Sequence, residues 1–105
     1  MSDDALPAIP AGLESLMPAF VAEMTRDVVT LRRVGTADRV LLEEQAHASR
    51  GKCGMFGEKV LYALLTRLED KAGSLSEDEL ESILDRFAER VAELARHEPL
   101  STAPP

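Results

Sequence analysis

Residues 76–97 read SEDELESILDRFAERVAELARH. Leu80, Ile83, Leu84, Phe87, Val91 and Leu94 recur at three and four residues, the spacing that lines one face of a helix with apolar side chains and leaves the acids outside. Ser76 with Glu79 three residues on makes a capping box, in which hydroxyl and carboxylate each satisfy a backbone N–H at the helix start. Two further stripes lie upstream: Met17, Phe20, Met24, Val28 and Leu31, then Leu61, Leu64, Leu65 and Leu68. Strands are excluded by the same reading, because only 4% of residues are aromatic and no stretch alternates for long.

Four helices are therefore expected near 17–34, 38–56, 58–71 and 76–97. Gly35 and Gly73 stand where a left-handed residue would end a helix, Gly57 separates two stripes of different phase, and Thr36 or Asp38 can cap the second helix. Connections of two to five residues force antiparallel neighbours, so the fold class is all-α, an up-down four-helix bundle. Leu13 and Leu16 suggest a short extra N-terminal turn. The expected organisation is a flexible segment at 1–14, one bundle at 15–98 and a disordered, proline-rich tail at 99–105. A chain of 105 residues supports one core and no second domain.

Twelve basic and nineteen acidic residues leave a net charge of −7, which argues against nucleic acid or anionic lipid as partners of the general surface. No window reaches the ~18 apolar residues of a membrane span, and the acidic N-terminus lacks a secretory layout, so a cytoplasmic location is expected. The single Cys53 fits a reducing compartment. The charge is uneven. Residues 38–60 form a neutral island, with Glu43 and Glu44 before a histidine and Arg50, Lys52 and Lys59 after it.

The second helix differs from the others. Its apolar stripe, Leu42, Ala46, Ser49, Cys53 and Phe56, is thin and built of small residues. A quarter turn away, Glu43, His47, Arg50, Gly51 and Gly54 share another face. Each interior glycine costs about 1 kcal/mol relative to alanine, so two of them beside a histidine require a compensating role. Close helix packing is one explanation. The other is chemical: an imidazole followed one turn later by a guanidinium, with no side chain at the adjacent glycine, leaves room for a tetrahedral anion and its carrier.

The run AHASRGKCGMFG at 46–57, continued by Leu61, Leu64, Leu65, Leu68 and Glu69, resembles the signature of histidine phosphotransfer (HPt) domains. The likeness spans about residues 17–97, with Arg50 in place of the family's lysine. It implies a four-helix bundle whose His47 accepts a phosphoryl group from a phospho-aspartyl receiver domain, or a histidine kinase system, and passes it to a response regulator. By the same resemblance Arg50 balances charge on the phosphoryl oxygens, Gly51 admits the receiver's edge, and Glu69 holds the inner ring nitrogen. Gly54 is grouped with Gly51 in partner docking. Two departures from the pattern stand out: Ser49, where leucine is usual and whose hydroxyl would bond back to the Gln45 carbonyl, and Lys52, which would add a second positive charge beside the phosphoryl group.

The expected partners are thus a response regulator receiver domain and a hybrid or sensor histidine kinase, with the protein monomeric. No cofactor or metal is expected on this chain; magnesium belongs to the receiver. Without a glycine-rich nucleotide loop the chain is a relay intermediate and not an ATP-dependent kinase. The competing reading is a helical adaptor that docks a signalling partner without accepting phosphate. A metal enzyme is disfavoured because His47 and His97 lie on different helices. His97 is read as a helix-end residue and Cys53 as a small core residue.

Overall fold

The computed structural model describes residues 12–96, so most of the expected N-terminal segment at 1–14, the expected tail at 99–105 and His97 lie outside the described residues. A short 3-10 turn at Glu14–Leu16 leads into α1 (Met17–Val34), α2 (Arg39–Met55), α3 (Lys59–Lys71) and α4 (Glu77–Arg96). Each helix packs on its two neighbours in the ring α1, α2, α3, α4 and back to α1, as an up-down four-helix bundle requires. Leu13 packs against the core from the N-terminal side of the turn, while Leu16 is half exposed.

The stripes read from the sequence are the core. Met24, Leu31, Leu42, Leu61, Leu65, Leu68 and Phe87 have no exposed surface, and burying each side chain stabilises the fold by about 1.5–3 kcal/mol. Phe20 and Phe56 stack with ring centroids 4.5 Å apart and tie the start of α1 to the end of α2. The thin stripe of α2 brings its neighbours close: Leu42, Ala46, Ser49 and Cys53 are all fully buried.

The helix ends follow side-chain chemistry. Asp38 accepts the Leu41 N–H at 3.0 Å, and Ser76 and Glu79 form the expected reciprocal bonds at 3.1 and 2.8 Å. The Ser76 backbone N–H holds the Glu79 carboxyl below the usual glutamate range. Gly35 closes α1 with φ 55° and Gly57 takes φ 68° in the α2–α3 turn, conformations that a Cβ disfavours. Gly73 departs from expectation and has no positive φ. The end of α3 is closed differently: Arg39 Nη1 donates to the carbonyls of Ala72 at 3.0 Å and Leu75 at 2.9 Å. With a guanidinium on those acceptors, the turn does not need a left-handed residue.

Candidate functional site

His47 lies midway along α2, in a helix whose cap and buried stripe fix which way its outer face points. The imidazole is 64% exposed, and its Nδ1 lies 2.8 Å from Glu69 Oε2 on α3. The Glu69 side chain is only 17% exposed, so a partly buried carboxylate grips an open ring. The contact decides the tautomer. A lone pair on Nδ1 would face a carboxylate lone pair at 2.8 Å, whereas Nδ1–H donates to it; the ring's other nitrogen, Nε2, then carries the free lone pair. No described residue hydrogen-bonds Nε2.

Arg50 completes the cluster one turn along the helix. Its Nη1 approaches Glu69 Oε1 to 3.3 Å without hydrogen-bond geometry, so this buried oxygen has a charge partner but no hydrogen bond. Arg50 Nη2 sits 3.3 Å from His47 Nδ1, a proximity rather than a bond once Nδ1 bears its proton. The guanidinium carbon lies 5.7 Å from the centroid of the Tyr62 ring, within cation–π range. Tyr62 was not singled out in the sequence, and its position as the protein's only tyrosine offered no periodic signal.

The two glycines of this face turn out to differ. A Cβ on Gly51 would meet nothing within 4 Å, so no helix of the bundle packs there and the position is open to a visitor. A Cβ on Gly54 would touch the Tyr62 ring at 3.4 Å. Gly54 therefore seats an aromatic ring of the same molecule. Glu43, on the same face, is exposed.

Lys52 does not join this cluster. Five residues beyond His47, about 140° around the helix, it turns toward α1, where Nζ meets Glu23 Oε2 at 2.6 Å and Asp27 Oδ2 at 3.4 Å. Burial disfavours the ammonium, but the Glu23 and Asp27 carboxylates outweigh it and raise the pKa above the ordinary lysine value. Ser49 also departs from expectation: its hydroxyl donates to Asp27 Oδ2 at 2.6 Å across the α1–α2 interface instead of back to Gln45. Asp27 is the residue that sequence reasoning missed here. It stands three positions after Met24, inside the apolar stripe of α1, and that placement was the available signal.

Three of the exposed large apolar side chains belong to the histidine's helix, two at its start and one at its end. Val40, Leu41 and Met55 project from α2, and a groove of about 260 Å³ beside Met55 is lined by Leu16, Ala19, Phe20, Glu23, Lys52 and Phe56. Among the described residues no helix is long and apolar enough to cross a membrane, and no cluster of three metal-ligating side chains occurs. No protein-family model matches the chain, and neither a curated protein nor a solved structure matches it.

Proposed function

We propose that this chain is a histidine phosphotransfer protein whose His47 Nε2 accepts a phosphoryl group from a phospho-aspartyl receiver domain and passes it on. The observation that carries this reading is the exposed ring held at Nδ1 by Glu69 at 2.8 Å, which leaves the outward nitrogen nucleophilic. Attack by the Nε2 lone pair on phosphorus forms a P–N bond, and the P–O bond to the aspartyl oxygen breaks with its electron pair leaving on the carboxylate. Positive charge then develops on the ring, and Glu69 is already placed to stabilise the Nδ1–H imidazolium. Arg50 supplies the cation for the phosphoryl oxygens.

Transfer needs a donor. The chain would meet a receiver that brings its own magnesium, and Val40, Leu41, Met55 and the open position at Gly51 offer the surface for a transient complex. The same exposed apolar residues support the second reading, an adaptor that docks without accepting phosphate. One experiment separates the two: incubation with a ³²P-labelled phospho-receiver. Acid-labile, alkali-stable label on the wild type and none on His47→Gln supports the relay. Binding without label in either protein supports the adaptor.

A further inference from the structure

We propose that Tyr62 is the positioning residue of the site, a ring on which the Arg50 guanidinium turns between the Glu69 carboxylate and an anion on His47 Nε2. The inference rests on the phosphotransfer reading. Three observations meet here. Arg50 lies over the Tyr62 ring at 5.7 Å, inside the range where a guanidinium is drawn to an aromatic face. The ring in turn lies against the backbone of α2 at Gly54, where an added Cβ would sit 3.4 Å from Tyr62 Cε2. Finally, Arg50 pairs with Glu69 Oε1 at 3.3 Å but leaves that buried oxygen without a hydrogen bond.

These features describe a cation held in place but not used up. Glu69 already spends its Oε2 on the histidine, so its hold on Arg50 is charge attraction alone. A phosphoryl group on Nε2 offers more negative charge and the oxygen geometry that a guanidinium matches with two bonds. The planar guanidinium can rotate toward it without leaving the aromatic face, because a cation–π contact is tolerant of rotation in a way a hydrogen bond is not. On this assignment Tyr62 acts through Arg50.

The test uses the full chain and phosphoramidate as donor. His47 Nε2 forms its bond to phosphorus as the donor's P–N bond breaks and ammonia leaves. Initial rates of phosphohistidine formation are compared for the wild type, Tyr62→Phe, Tyr62→Leu, Arg50→Ala and the Arg50→Ala/Tyr62→Leu double variant, and Arg50 side-chain NMR resonances are recorded before donor is added. The expected result is that Tyr62→Phe keeps the rate and the ring-current shift of Arg50. Tyr62→Leu loses the shift and slows about two- to fivefold, and has no further effect once Arg50 is alanine. Tyr62→Leu at the wild-type rate, Tyr62→Phe as slow as Tyr62→Leu, or an equal loss in the Arg50→Ala background would each overturn the assignment while leaving His47 as the acceptor. A wild-type chain that forms no phosphohistidine with either phosphoramidate or a phospho-receiver would remove the phosphotransfer reading and this role with it, whatever the Arg50 resonances show.

Discussion

The Glu58 carboxylate and the Arg90 guanidinium meet inside the bundle as a bidentate pair, Nε to Oε2 and Nη2 to Oε1, both at 2.9 Å, with side chains 0% and 1% exposed. Glu58 Oε2 also accepts the Leu61 N–H at 2.9 Å, so one carboxylate caps α3 and anchors it to α4. Arg90 Nη1 donates to Glu93 at 3.1 Å. Bonding to Glu58 raises the Arg90 pKa above its usual value despite burial. The α2–α3 turn, and with it the register that sets Glu69 opposite His47, is thereby tied to the far helix.

Removing one partner of this pair strands a charge in the core. Arg90→Ala is expected to cost about 3–5 kcal/mol, whereas Glu58→Gln combined with Arg90→Met, which keeps an acceptor for the Leu61 N–H and buries no net charge, should recover most of that loss. Urea midpoints with unchanged m-values measure both. A single variant as stable as the wild type would mean the pair contributes nothing beyond its packing.

The legible part of this fold was the part written in period. The stripes of α1, α3 and α4 place their apolar residues where the core is, and Asp38 and Ser76 with Glu79 cap the helices they precede. Charged residues inside stripes were harder to read. Arg90 stands three residues after Phe87 and Asp27 three after Met24, but a helical wheel gives only their direction, and their partners Glu58 and Ser49 are more than twenty positions away. Lys52 shows the same limit: the sequence gives its angle on α2, and only the packing of α1 supplies the two carboxylates that claim it. His47, Arg50 and Glu69 do come together, with Tyr62 as the unforeseen fourth member.

Glu69 fixes the histidine's proton on Nδ1, so Glu69→Ala should leave the fold intact and slow phosphoryl acceptance severalfold or more. The direct check is the ¹⁵N spectrum of His47. The wild type should show the Nδ1–H tautomer of the neutral ring, and the variant a mixture richer in Nε2–H. Unchanged tautomer and rate together would remove Glu69 from the site.

Arg50 and Lys52 carry the same charge and should behave differently. Arg50→Ala is expected to weaken phosphoryl acceptance, because among the described residues no other cation contacts the His47–Glu69 pair. Lys52→Ala should leave acceptance nearly unchanged and lower stability by about 1 kcal/mol or less, the range for a partly exposed pair. Ser49→Ala, which takes a hydrogen bond from the buried Asp27, should cost about 1–3 kcal/mol. Parallel measurement of labelling rate and thermal midpoint separates the three, and the reverse order for Arg50 and Lys52 would reassign the cation.

Cys53 gives the protein an alkaline weakness. Burial pushes its thiol from an ordinary 9.0 up to about 12, with the Glu58 and Asp27 charges adding to the shift. In the unfolded chain the thiol ionises from about pH 9, while the folded chain keeps it protonated until about pH 12. Between those values the unfolded state binds fewer protons, so the stability contributed by the neutral thiol is fully present below pH 9 and is lost as pH rises through that window. The loss should be measurable as a shallower alkaline decline in Cys53→Ala than in the wild type, although the small cavity lowers that variant's stability at pH 7. Iodoacetamide should label the native thiol only at the rate of unfolding; labelling of the folded chain at neutral pH at the rate of a free thiol would show that the sulfur is not enclosed against Met24, which it meets at 3.7 Å.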